Sequence, residues 1–199
     1  LKKTLFFTLF VLALSQTLAL AQKTPFGGKP ARIPGTIKAE NFDEGVEGIA
    51  FHNVEPVMEP DAKTGPRALG LAYRKTPVEL EEGWGTMMLA AIREGEWYNY
   101  TVQVDYEGLY DAEFVVAGWK DEPNGFRIEF DGVDKTGLIS VPNTQKWYLF
   151  KTLTKTGIEL KKGTYLMKVT NVKGSDAINL ASFRFNPQFE LPAYVPPKK

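Results

Sequence analysis

Covalent catalysis and metal chemistry need a nucleophile, a proton carrier or a set of ligands, and this sequence is poor in all of them. It has no cysteine and a single histidine, His52. That excludes disulfides, thiolate metal sites, a cysteine nucleophile and any multi-histidine centre. No Gly-x-Ser-x-Gly elbow, phosphate-binding loop, dinucleotide fingerprint or EF-hand loop occurs. With 24 acidic residues, some carboxyl pair always falls at the separation a glycosidase uses. Glu81-Glu82, Asp121-Glu122 and Asp131 with Asp134 stand beside turn residues and read first as solvated charge. A catalytic reading would need His52, Arg74 and Glu79 to converge on one pocket.

The tryptophans carry more information. Trp84 lies in Glu82-Gly83-Trp84-Gly85, Trp119 in Ala117-Gly118-Trp119-Lys120, and Trp147 follows the polar residues 142–146. All three stand in or beside loops, where a large apolar ring is costly to expose without purpose. Two uses fit. A ring can fold back to cap the core, or it can act as a platform for a sugar. The axial C–H bonds of a pyranose pack on an aromatic face, while nearby amides bind its hydroxyls.

The elements that must position these rings are strands. Tyr98, Tyr100, Val102 and Val104 fall on one face, with Asn99, Thr101 and Gln103 on the other. Tyr110, Ala112, Phe114 and Val116 repeat the pattern, as do Phe126, Ile128 and Phe130, and then Tyr165, Met167 and Val169. This is the period-two alternation of half-buried strands. Glu107-Gly108, Asn124-Gly125, Asp131-Gly132 and Lys162-Gly163 mark the turns between them. No twelve-residue stretch carries a helical stripe. The pattern predicts an all-β sandwich or barrel.

Residues 1–21 have the form of a secretory signal peptide. Lys2 and Lys3 precede an apolar run over residues 5–14, and Ala19-Leu20-Ala21 offers the small-x-small cleavage pattern. The mature chain is expected to begin at Gln22 and to be secreted or periplasmic, with no membrane contact after cleavage. Residues 22–32 read as a linker or ordered lead-in, residues 33–185 as the β-sandwich, and residues 186–199 as a proline-rich tail. Basic and acidic residues balance at 24 each, which argues against a nucleic-acid partner.

From Ile33 onward a series of motifs follows in order: residues 33–42, Gly48-Ile49-Ala50-Phe51-His52-Asn53, and Tyr73-Arg74 with Val78-Glu79-Leu80. It continues through Gly95-Glu96-Trp97-Tyr98-Asn99-Tyr100, Gly108-Leu109-Tyr110, Asp131-Gly132, Lys146-Trp147 and residues 179–185. In these motifs and their order the sequence resembles the family 6 carbohydrate-binding modules. The resemblance implies a β-sandwich of jelly-roll type that binds a polysaccharide or oligosaccharide without cleaving it. It also implies an end-loop cleft in which Trp147 stacks on a sugar ring and Asn179 bonds its hydroxyls. The aromatic that usually faces that Trp is here Ala91, so Trp84 is expected either to supply a substitute wall or to leave Trp147 as a one-sided platform. The family's calcium site uses two ligands two residues apart on the first strand and an Asp two residues after the Asn. Here Lys38 and Glu40 take the first two places and Ala181 the third. No metal or other cofactor is therefore expected, and Lys38 is expected to pair with Glu40 instead. The rival readings are a glycan hydrolase or lyase on the same fold, and a structural or adhesive module that has lost sugar binding.

Overall fold

The computed structural model describes residues 23–172, 174 and 176–192. The expected signal peptide and the end of the proline-rich tail lie outside the described residues. The described chain forms two β-sheets packed face to face. Its strands are β1 (Ala31–Ile33), β2 (Gly35–Lys38), β3 (Phe51–His52), β4 (Leu80–Gly83), β5 (Thr86–Ile92), β6 (Trp97–Val104) and β7 (Gly108–Gly118). After these come β8 (Glu122–Phe130), β9 (Val133–Asp134), β10 (Ile139–Val141), β11 (Lys151–Leu160), β12 (Gly163–Asn171) and β13 (Ile178–Pro187). One sheet runs β1-β6-β12-β8-β10, with β3 on β6 and β9 on β8. The other runs β11-β7-β13-β5-β4, with β2 on β13. From β6 onward the chain passes repeatedly from one sheet to the other, except that β8, β9 and β10 stay in one sheet.

The alternating residues fill the space between the layers. Tyr98, Tyr100, Val102 and Val104 face inward with Phe114, Phe126, Ile128 and Phe130, and all are buried. Phe114 meets Phe126 edge-on at 5.3 Å, and Tyr100 meets Phe183 likewise at 5.3 Å, the favoured geometry for aromatic quadrupoles. Burying each such side chain contributes about 1.5–3 kcal/mol. The buried tyrosines are not orphaned: the Tyr100 hydroxyl donates to the Ala39 carbonyl at 2.7 Å.

Two strands depart from alternation. Met88, Leu89 and Ala90 of β5 are all buried, as are residues 178–181 of β13. The second buried face exists because residues 142–150 fold over the outer side of this sheet. Tyr148 and Phe150 pack there on Met88, Ala90 and Ala181. Between Leu180 and Ser182, β13 carries an extra residue against β7, and between Ile178 and Leu180 the extra residue lies in β5, so both strands are bulged here.

A short helix, α1 (Gly65–Tyr73), also appears where the sequence showed no helical stripe. It is nine residues long and contains Gly65, Pro66 and Gly70, so local propensity does not explain it. Its support is tertiary. Arg67 is buried and donates from Nη1 to the carbonyls of Val78 and Leu80 at 2.9 and 3.1 Å. At Gly70 any Cβ would come within 1.8 Å of the Leu80 oxygen, so only glycine lets the helix sit on β4. The helix thereby covers an edge strand that would otherwise present unpaired backbone groups. Among the described residues no helix is long and apolar enough to cross a membrane.

The lead-in is packed against this body. Thr24 bridges Glu44, β1 pairs in parallel with β6, and Phe26 stacks near Tyr73 at 6.1 Å.

Candidate functional site

The loop bearing Trp147 is fixed by polar side chains rather than by strand pairing. Thr144 is buried; its N–H donates to the Gly118 carbonyl at 2.8 Å and its hydroxyl accepts from the Gly118 N–H at 3.1 Å. Asn143 receives the Gln145 N–H at 2.6 Å and donates its own N–H to Asp121 at 2.8 Å. These bonds tie the loop to the turn between β7 and β8, and that turn carries Trp119. The Trp119 and Trp147 rings therefore lie alongside each other, 6.4 Å apart and inclined by 27°. Trp119 is 53% exposed and Trp147 37%.

Trp147 forms a wall of a cleft of about 240 Å³ that also contains Tyr148, Glu81, Ala91, Arg93 and Asn179, with Met58 at its margin. Asn179 is only 2% exposed. Its Oδ1 accepts the Ala91 N–H at 2.8 Å and its Nδ2 donates to the Trp147 carbonyl at 2.8 Å. The remaining amide hydrogen faces the Met88 sulfur at 3.4 Å. Asn179 thus holds both sides of the cleft in place: the end of β5, where Ala91 adopts φ of 48°, and the backbone under the Trp147 ring. Its donors are committed to the protein.

The polar groups facing the cleft come from elsewhere. Glu81 accepts the Tyr148 hydroxyl at 2.7 Å. Partial burial, followed by that hydrogen bond and the Glu81 charge, pushes the Tyr148 phenol up to about 12, so it remains a donor throughout the neutral range. Arg93 pairs with Glu55 at 2.8 Å and donates to the Ala91 carbonyl at 3.2 Å. Met58 is placed by its N–H, which donates to the buried Glu79 at 2.9 Å. Burial raises the Glu79 carboxyl above its ordinary value.

Trp84 does not line this cleft. It occupies the tip of the β4–β5 hairpin, with φ of 54° followed by Gly85 at 80°, a two-residue turn of the left-handed kind that hairpins favour. Its ring is 78% exposed. It borders a separate hollow along β4 with Pro66, Leu69, Glu82 and Tyr148. Trp84 thus supplies no aromatic in place of Ala91 in the Trp147 cleft.

The side chains that a catalytic reading would bring together have separate partners. His52 pairs with Glu47. Arg74 donates to the carbonyls of Glu40, Phe42 and Asp43 and to the Glu44 carboxylate, with its guanidinium 3.8 Å from the Phe42 ring centre. Glu79 holds the Met58 loop.

At the calcium position, β2 ends at Lys38 and Glu40 lies in a short 3₁₀ turn (Ala39–Asn41). Lys38 Nζ is 3.9 Å from Glu40 Oε1. Glu40 is buried, its Oε2 has no hydrogen-bond partner, and burial raises its carboxyl above the ordinary value despite Lys38. Calcium takes about six to eight oxygen ligands. One carboxylate beside an ammonium, with Ala181 at the third place, does not fit that ion.

Sequence reasoning singled out Trp147, Asn179 and Trp84. It missed Tyr148, Glu81 and Arg93 as cleft residues and Trp119 as the partner of Trp147. Only the adjacency of Tyr148 to Trp147 could have signalled any of these.

Comparison with known proteins decides the lineage. Residues 72–187 match the model of the carbohydrate binding module family 6. The chain belongs to this family. Among solved structures, the C-terminal family 6 module of LamC, a marine laminarinase from Zobellia galactanivorans, is 26% identical over 56% of this chain and 89% of its own, with a TM-score of 0.50. A family 6 module from Clostridium stercorarium, in complex with cellobiose, superposes at 0.54 with 16% identity, covering 81% of this chain and 99% of its own. A β-1,3-glucan binding family 6 module from Bacillus halodurans superposes at 0.51 with 21% identity over 79% and 99%. The comparison with curated proteins gives no match. In this family 6 module the Trp147 cleft adjoins β4, β5 and β13, where residues 142–150 cover the outer side of their sheet.

Proposed function

We propose that this protein is an exported, noncatalytic module that binds a polysaccharide or oligosaccharide, seating one sugar ring on Trp147. The observation that carries the reading is a half-exposed Trp147 ring forming the wall of a mainly apolar cleft that also holds Glu81, Arg93 and Asn179, in a family 6 sandwich. The cleft is smaller than typical drug-sized pockets of about 300–1,000 Å³, which suits a single ring. Its floor is organised by Asn179, so the Asn serves here to hold Trp147 and Ala91, and Glu81 and Arg93 are the groups placed to meet sugar hydroxyls. Trp119 lies alongside Trp147 and restricts its plane.

Two further points support binding without turnover or metal. His52, Arg74 and Glu79 are each engaged with different partners, so these three do not converge on one substrate position as an acid and base would. The Lys38 ammonium stands 3.9 Å from Glu40, which supports the reading that one cation takes the place of another there.

Incubation of the protein with immobilised plant, algal and fungal polysaccharides tests this reading. Retention on at least one polymer, with no new reducing ends released, is the expected result. Sugar release that is abolished by Glu79→Gln or His52→Ala would instead make the protein an enzyme.

A further inference from the structure

Trp84 is the most exposed of the large apolar side chains among the described residues, and the backbone that carries it is held. The left-handed turn at Trp84 and Gly85 is closed by the Glu82 carboxylate, which accepts the Gly85 N–H. An exposed indole presented from a closed turn and flanked by Pro66 and Leu69, the latter itself exposed, is an apolar patch that calls for a ligand.

Tyr148 connects that patch to the Trp147 cleft, because its ring lines both hollows. It lies directly on β4. A Cβ on Gly83 would fall 2.2 Å from Tyr148 Cδ1, and its hydroxyl reaches Glu81 two residues earlier. Strand β4 thus serves as a common floor, with Glu81 in the first hollow and Glu82, Gly83 and Trp84 in the second. At about 3.3 Å per strand residue, Glu81 and Trp84 are roughly 10 Å apart, more than one sugar ring and about the length of two.

We infer that the Trp147 cleft and the Trp84 hollow form one continuous track for an uncharged polysaccharide chain, with Tyr148 as the bridge between two aromatic platforms. The inference rests on the carbohydrate-binding reading of Trp147 and extends it from one sugar to several. The charge along the track sets the class of glycan. Glu81 and Glu82 are carboxylates on its floor, and the Arg93 guanidinium is already answered by Glu55. Neutral hydroxyls find acceptors there, whereas the carboxylates or sulfates of an acidic polymer meet like charge.

Titration calorimetry with neutral glucan and xylan oligosaccharides, from monosaccharide to hexasaccharide, tests the track, with oligogalacturonates as the charged comparison. Affinity for the best neutral series is expected to rise with length up to about the tetrasaccharide. Trp84→Ala is expected to remove that gain, about tenfold at the longer lengths, while leaving the shortest ligands and the melting temperature unchanged. Trp147→Ala is expected to weaken every length. Equal binding of the longer oligosaccharides by Trp84→Ala and wild type, with Trp147→Ala still defective, would overturn the track and leave the Trp147 site standing. Tighter binding of the oligogalacturonates would overturn the neutral class. Self-association of the wild type in sedimentation, lost in Trp84→Ala without any change in glycan affinity, would assign the patch to a second copy of the chain instead. Failure of the wild type to bind any of the oligosaccharides would overturn the carbohydrate reading itself.

Discussion

Asn179 and Glu40 are both buried polar side chains, and their hydrogen bonds give them opposite consequences. Asn179 has its amide groups partnered, and removing them leaves the Trp147 carbonyl and the Ala91 N–H without those partners. Asn179→Ala is therefore expected to cost about 1–3 kcal/mol, read as a shift in a denaturant midpoint, and to weaken glycan binding by loosening the loop. Glu40 has an oxygen with no partner. Its carboxyl is raised above the ordinary value of 4.5 by burial, so the folded state carries a cost whenever the group is ionised. A raised carboxyl favours the folded state below the unfolded value and loses that advantage as pH rises through the folded one. Glu40→Gln is thus expected to raise the melting temperature near neutral pH, with the gain vanishing below about pH 4.5. Calcium is expected to leave the wild-type melting temperature unchanged. A large rise on adding calcium, reversed by chelator, would contradict the Lys38 substitution.

The hairpin of β4 and β5 bears on the two expectations for Trp84, a substitute wall or a one-sided Trp147 platform, because it holds Trp84 away from the cleft. Trp84 is only seven positions from Ala91, which made it a natural substitute wall. Strand β5 intervenes, and its residues rise about 3.3 Å each, so the turn and Ala91 stand at opposite ends of the strand. The strands themselves were legible because Tyr98 through Val104 and Tyr110 through Val116 alternate without interruption. Helix α1 was not, since it depends on Arg67 and Gly70 meeting the backbone of β4. The paired burial of β5 and β13 was equally hidden, because it is created by residues 142–150 arriving from another part of the chain. Gly83 offers a test of that arrangement. Gly83→Ala places a methyl in the Tyr148 ring, and the ring must move. Weaker binding of long oligosaccharides, together with changed tyrosine fluorescence and an intact far-ultraviolet circular dichroism spectrum, is the expected outcome.

Over the whole molecule, one aromatic core carries stability, while the proposed sugar contacts lie on residues outside it. The two are separable because Phe114 packs on both Phe126 and Phe183 and none of the three lines the Trp147 cleft. Phe114→Ala is expected to cost about 3–5 kcal/mol of stability, measured by chemical denaturation, whereas Trp147→Ala is expected to leave the unfolding transition nearly in place. The family was legible in the sequence through ordered motifs, above all Gly95-Glu96-Trp97. Those motifs mix two kinds of residue. Tyr98 and Tyr100 build the core, Glu96 receives the Val54 and Arg93 N–H groups, and Trp147 faces the cleft. Only their three-dimensional placement separates the scaffold from the site.

Titration of the same neutral oligosaccharide into wild type and Trp147→Ala addresses the central claim most directly. The wild type is expected to bind with a Kd of tens of micromolar or weaker, about −6 kcal/mol, since Ala91 leaves the ring unopposed. Loss of the central aromatic is expected to cost about 2 kcal/mol or more, some thirtyfold in affinity, at an unchanged melting temperature. Equal binding by the two proteins would place the sugar elsewhere on the sandwich and contradict the assignment of Trp147.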